Sequence, residues 1–129
     1  MFQISKQVDY ATQLLRALPS KSDETYLSLR KFSTDSNISF LFLQRIAREL
    51  KAAGIIDATR GASGGYYVLA DKDAFTLKQL IEILEGPVGI TACTRGKECS
   101  HEDTCKAKSV FKKANKTVVD VLESTLVMS

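Results

Sequence analysis

Ser39-Phe40-Leu41-Phe42-Leu43-Gln44-Arg45-Ile46-Ala47-Arg48-Glu49-Leu50-Lys51-Ala52-Ala53-Gly54 is the segment from which the rest of the chain can be placed. Phe40, Leu43, Ile46, Ala47 and Leu50 recur at three and four residues, the period of one helix face. Ser39 is a suitable N-cap, and Gly54 stands where a left-handed C-cap belongs. Away from the apolar stripe the helix carries Gln44, Arg45, Arg48 and Lys51, the side-chain chemistry that a DNA groove or phosphate row accepts. Taken alone, these residues fit a solvated amphipathic helix equally well. The flanking sequence separates the two readings.

Upstream, Ser28 can cap a short helix carrying Leu29 and Phe32, and Asp35-Ser36-Asn37 supplies turn chemistry before Ile38 returns to the core. Short helix, tight turn and longer helix make a helix-turn-helix. Downstream, Ile55 to Arg60 and Tyr66 to Leu69 read as two strands around the glycine-rich tip Gly61-Ala62-Ser63-Gly64-Gly65. A helix-turn-helix followed by a hairpin is a winged helix. Arg60 enters the tip, where a slender backbone can carry a guanidinium to a minor groove or phosphate. The same glycines lack the Lys-Ser/Thr ending and following helix of a phosphate-binding loop.

Further out, Val8, Ala11, Leu15 and Leu18 mark a helix capped by Ser5 and ended by Pro19-Ser20, with a polar loop over residues 21–25. Thr76-Leu77-Lys78-Gln79 has capping-box form and opens a helix with Leu77, Leu80, Ile81 and Leu84 that stops at Gly86-Pro87. Ala107, Phe111, Ala114, Val118, Val121 and Thr125, flanked by Val110, Leu122 and Leu126, predict one long helix of over five turns. Such a helix exceeds what a small head covers. A second copy of the chain is its natural burial surface, and folding back on the first helix is the alternative. The predicted fold is mainly α with a small β-hairpin wing: a winged helix-turn-helix head at 1–87, a cysteine-containing loop at 88–105 and a dimerisation helix at 106–129.

The 129 residues, 44% apolar and 26% charged, suit an ordinary globular domain, and no apolar run approaches a membrane span. The N-terminal residues lack the pattern of a secretory signal, so a cytoplasmic location without membrane contact is expected. Residues 1–70 hold nine Lys or Arg against six Asp or Glu, whereas residues 71–129 hold nine of each. The positive excess therefore sits in the first 70 residues, the side expected to meet a polyanion.

Cys93, Cys99 and Cys105, the only cysteines, have five residues between neighbours, and no apolar side chain stands between them. An odd number cannot all pair within one chain, and a reducing compartment favours metal or redox chemistry over disulfides. Arg95, Lys97 and Lys106 favour thiolates, as does a helix opening at Cys105. A zinc site is a rival, although structural zinc motifs pair cysteines two to four residues apart; a bare thiol switch is another. Thiol enzymology needs a Cys-x-x-Cys pair or a base beside a thiol, and His101 alone offers one.

On Leu43 to Ile56, the wing Arg60 to Tyr66, Leu80-Ile81-Glu82-Ile83-Leu84-Glu85-Gly86 and the cysteine triplet, the chain resembles the winged-helix regulators that include IscR, NsrR and CymR. The match runs from Ile4 to about Leu126. It implies a homodimeric transcription regulator, a repressor, that binds palindromic double-stranded DNA. Ser39, Leu41, Phe42, Gln44, Arg45 and Arg48 would lie in the major groove, and Arg60, Gly61, Ser63 and Gly64 at the wing. In the IscR and NsrR branches three cysteines hold an iron-sulfur cluster, two-iron or four-iron, that reports nitric oxide, redox state or iron supply; CymR-like members lack the triplet.

Two departures stand out. Phe40, Leu41 and Phe42 replace the small or polar residues common at that helix start, which suggests more apolar contact with thymine methyls. Lys108 occupies the place of the IscR-like histidine ligand three residues after the last cysteine. Asp9 matches the place from which NsrR-like members supply a carboxylate from the other subunit, and His101 is the second candidate for a fourth ligand. A zinc- or thiol-based regulator, or a metabolite-responsive one without metal, is the alternative function.

Overall fold

A computed structural model describes residues 3–96 and 106–129. Among them, five helices and one antiparallel hairpin follow in the order α1 (Lys6–Ala17), α2 (Leu29–Ser36), α3 (Phe40–Ala52), β1 (Ile56–Thr59), β2 (Gly65–Val68), α4 (Leu77–Glu85) and α5 (Lys108–Ser124), with 3-10 turns at Lys21–Asp23 and Cys93–Arg95. This is a winged helix with a long helix appended.

Local chemistry sets the helix ends. Side-chain oxygens of Ser5, Ser28, Ser39 and Thr76 accept from the backbone N–H three residues on, at 3.2, 3.3, 3.4 and 3.2 Å, each satisfying a donor that the first turn leaves open. Gln79 completes the capping box by accepting from Thr76 N–H at 2.8 Å. At the far end of α3, Gly54 donates to Lys51 and Ile55 donates to Leu50, both at 3.0 Å, with Gly54 at φ +78°. That pair of hydrogen bonds closes the helix and turns the chain into β1.

α3 packs against α1, α2, α4 and β1. Leu43, Ile46, Ala47 and Leu50 are fully buried against Val8, Ala11, Leu14, Leu15, Leu80 and Ile56. Leu14 joins the core on the same α1 face as Ala11 and Leu18, a contribution that the sequence stripe omitted. A hydrogen bond from Gln7 Nε2 to Glu49 Oε2 at 2.8 Å also links α1 to α3.

The hairpin pairs Ile56 with Val68 through to Thr59 with Gly65. Two isolated bridges tie this two-stranded sheet to the chain before α2: Leu27 and Tyr66 exchange both backbone bonds, at 3.0 and 2.8 Å, and Val68 N–H donates to the Pro19 carbonyl at 2.8 Å. Two of the wing glycines answer to this packing. A Cβ at Gly65 would lie 2.6 Å from the Leu27 carbonyl oxygen, and one at Gly64 would collide with the Thr59 carbonyl.

The C-terminal end departs from the expected continuous helix over 106–129. The helix ends at Ser124, where the hydroxyls of Ser124 and Thr125 both donate to the Val121 carbonyl, at 3.1 and 2.7 Å, offering the backbone a competing partner. Thr125 then turns extended and residues 125–127 pair with residues 75–77, through Leu77 N–H to Thr125 O at 2.8 Å and Val127 N–H to Phe75 O at 3.0 Å. Val127 enters the head core at 4% exposure, and Arg16 donates to its carbonyl at 3.0 Å. Val127→Ala is expected to lower the unfolding free energy by roughly 1–3 kcal/mol, the loss of one buried aliphatic group. An unchanged urea midpoint would show that the tail does not hold the head.

Candidate nucleic-acid interface and cysteine site

The buried residues of α3 lie at positions 43, 46, 47 and 50; Leu41, Gln44, Arg45 and Arg48 repeat the same three-and-four spacing two residues earlier and are all exposed. At about 100° per residue the two rows fall on opposite sides of the helix. The outward row therefore carries Leu41 near the N-terminal end, then Gln44 and Arg45, then Arg48. Ser39 is exposed at the cap.

Phe40 and Phe42 sit on the two flanks rather than on the outward row. Phe40 is half-buried beneath the Arg30 guanidinium, 4.2 Å from the ring centroid. Phe42 is half-buried with its ring edge-on to Tyr10 at 5.4 Å, and the Arg45 guanidinium lies over the same ring, 5.4 Å from its centroid. The three consecutive apolar residues expected at the groove thus have different surroundings: Leu41 is free on the surface, while both phenylalanines pack on the head. The Arg30 contact carried no signal in sequence, since α2 meets the start of α3 only after the turn folds. Lys51 pairs with Asp57 at 3.8 Å and leans toward the hairpin.

At the wing tip Arg60, Gly61 and Ser63 are exposed and Gly64 is half-buried, its N–H donating to Gly61 O at 3.0 Å. The tip follows directly from β1, so Arg60 is offered from the same compact body that presents the α3 row.

Cys93 lies in the 3-10 turn after Pro87, half-buried, with its sulfur 3.2 Å from the Thr91 hydroxyl. The turn is knotted by Thr91 N–H to Thr94 Oγ1 at 2.9 Å, Thr94 Oγ1 to Thr91 O at 2.9 Å and Arg95 Nε to Pro87 O at 3.3 Å. Ile90 N–H donates to Asn115 Oδ1 at 3.0 Å, tying this turn to α5. Cys93 borders a cavity of about 330 Å³ that Thr94, Lys108, Lys112 and Asn115 also line. A thiol at the mouth of a cavity with a lysine wall fits an anionic, thiolate-ligated group. Lys108 and Lys112, four apart on α5, line the same cavity as Cys93, a proximity that their separation in the sequence does not disclose.

Cys99, His101 and Cys105 lie outside the described residues. Asp9 is exposed on the first turn of α1, where Gln13 Nε2 donates to it at 3.0 Å. Among the described residues no three His, Cys, Asp or Glu side chains gather at a metal-binding distance. Nor is any described helix long and apolar enough to cross a membrane.

α5 packs against α4 and the Cys93–Arg95 turn. Val118 and Leu122 face a crevice shared with Ile4, Val8, Ile81, Val88 and Ile90, so part of the predicted stripe turns toward the chain's own head. Val110, Phe111, Ala114 and Val121 are exposed, Val110 at 63% and Val121 at 57%.

Comparison with known proteins agrees with this architecture. A family model described as Rrf2, iron-dependent transcriptional regulator, matches residues 4–128. The transcriptional regulator CymR of Bacillus subtilis is 28% identical over 123 residues, covering 95% of this chain and 85% of that protein. IscR of Vibrio cholerae is 23% identical over 115 residues, 89% of this chain and 66% of that protein. The solved structure of B. subtilis CymR, described as the global cysteine regulator of that organism, superposes with a TM-score of 0.78, covering 98% of this chain and 94% of the other.

Proposed function

The chain belongs to the Rrf2 family of transcriptional regulators, and on that premise we propose that it acts as a homodimeric repressor of palindromic operators, governed by an iron-sulfur cluster on Cys93, Cys99 and Cys105. The relatives are transcriptional regulators rather than enzymes. The observation that carries the DNA-binding mode is the exposed row of Leu41, Gln44, Arg45 and Arg48 directly opposite the buried face of α3, with Arg60 on the adjoining wing. α3 would enter the major groove and the wing would reach the flanking backbone or minor groove. Arginine suits both tasks, because its planar fork meets guanine edges and phosphates alike.

The dimer is supported by Val110, Phe111, Ala114 and Val121, a heptad-like apolar row that the head leaves open. A second copy laid along it would bury the row and set two α3 helices about one DNA turn apart.

The cysteine site is supported by the half-buried Cys93 thiol, its Thr91 contact and the Lys108 and Lys112 wall, which favour a bound anion. A bound two-iron or four-iron cluster supplies a centre reactive toward nitric oxide and oxidants. The residues that would transmit its state are those of the 87–96 turn, joined to α5 through Ile90 and Asn115 and to α4 directly. A shift of this turn would alter the angle between head and dimer helix, and hence the match of the two α3 helices to their half-sites. Asp9 of the other subunit is the favoured fourth ligand, with His101 the second.

Anaerobic reconstitution with iron and sulfide is expected to give a coloured protein with visible charge-transfer absorption, and operator affinity that changes with cluster content. Zinc with no sulfide would point to a structural metal, and a colourless protein whose DNA binding responds to thiol oxidation alone would point to a cysteine-based switch. DNA binding in every case should fall steeply with salt.

A further inference from the structure

Resting on the reading that α3 docks in the major groove, we propose that Leu41 sets operator sequence by packing its side chain against the 5-methyl group of one thymine in each half-site. Leu41 is 76% exposed, and no other large apolar side chain among the described residues is more so. A single exposed leucine usually calls for no explanation. This one stands in a row whose other members are Gln44, Arg45 and Arg48, at the second position of the helix, where groove-docked helices bring side chains to base edges.

The residues beside it define its role. Phe40 is held down under Arg30 and Phe42 against Tyr10, so neither can fold over Leu41 to shelter it, nor reach outward in its place. The apolar exit of the row is therefore one isobutyl group wide. The one apolar group that base pairs project into the major groove is the thymine methyl, and the other features that tell the bases apart there are donors and acceptors that Leu41 could not pair. Gln44 and Arg45, one turn further on, supply the polar readout of the neighbouring base pairs.

The test begins with the full-length dimer selecting duplexes from a random pool. In the selected operator each thymine is then replaced singly by uracil, which removes only the methyl group. We expect one symmetry-related position at which uracil weakens wild-type binding by roughly fourfold per half-site, the scale of one buried methyl group. At that position Leu41→Ala should bind thymine and uracil duplexes alike, with an unchanged salt slope because the phosphates keep all their protein partners. A wild type indifferent to uracil at every position, or a Leu41→Ala variant that keeps the uracil penalty, overturns the assignment while leaving DNA binding intact. A pool from which no duplex is retained overturns the DNA-binding reading itself, and this assignment with it.

Discussion

Replacing Arg45 and Arg48 together by alanine is expected to weaken operator binding by about a thousandfold or more while leaving the fold untouched. Each guanidinium that pairs with a base edge is worth roughly 1–3 kcal/mol. In the proposed dimer both residues occur twice, so even the lower figure gives about 4 kcal/mol, close to three decades in Kd. Both side chains are exposed on the row opposite the core, and the contact of the Arg45 guanidinium with Phe42 is lost, so unfolding should move by no more than about 1 kcal/mol. The salt dependence separates two modes of contact. If the arginines meet phosphates, the slope should fall by about 0.9 for each phosphate no longer neutralised; if they meet bases, the slope should hold and sequence preference relax. The Phe42 ring beneath Arg45 gives that guanidinium a preferred direction, which makes Arg45 the better placed of the two for base recognition. A double variant that binds the operator with wild-type affinity and slope would mean that the DNA meets some other face of the head.

How much of this is readable from sequence depends on the range of the interactions concerned. Ser5, Ser28, Ser39 and Thr76 are legible as caps because a cap bonds to a backbone N–H three residues away, a relation written directly in the chain. Gly54 is legible for the same reason, and the alternation between stripe and polar row fixes the orientation of α3. Leu27 reads in sequence only as a lead into α2, whereas it bridges to the wing through paired backbone bonds with Tyr66, nearly forty positions away. That pairing also gives Gly65 a steric reason that a glycine-rich tip alone does not disclose.

The end of α5 is hidden in the same way. Thr125 and Leu126 fit a heptad, but the backbone leaves the helix because residues 75–77 offer an open edge and the core a site for Val127. Phe40, Leu41 and Phe42 form the most instructive case. Composition presents three similar groups, and only Arg30 and Tyr10, brought in from other helices, distinguish the one left outward. At the cysteine site, sequence offers Arg95 as a cation beside Cys93. In the fold Arg95 turns to the Pro87 carbonyl, and Lys108 and Lys112 of α5 line the cavity instead.

Cys93→Ser is expected to abolish reconstitution, with bound iron and sulfide falling at least tenfold and the visible absorption lost. The hydroxyl can keep the bond to Thr91 that the sulfur makes now, and the turn is held by Thr94 and Arg95 independently, so the loss would be one of ligation and not of folding. Loss of even a residue that supports a metal ligand commonly costs 10–100-fold in affinity, and loss of a ligand itself should cost no less. Operator binding by the variant should then stop responding to iron, nitric oxide or oxidant. Asp9→Ala probes the fourth position. Asp9 is exposed and its side-chain bond is to Gln13 on the same helix, so its removal should scarcely affect the fold. If it reaches the partner's cysteines, the variant should assemble a cluster that decays several-fold faster in air, on the same scale of ligand loss. The same acceleration in His101→Ala, with Asp9→Ala unaffected, would move the ligand into the loop. Full iron and sulfide in Cys93→Ser would remove the thiol beside the lysine wall from the site altogether, and with it the route by which the 87–96 turn would pass a signal to α5.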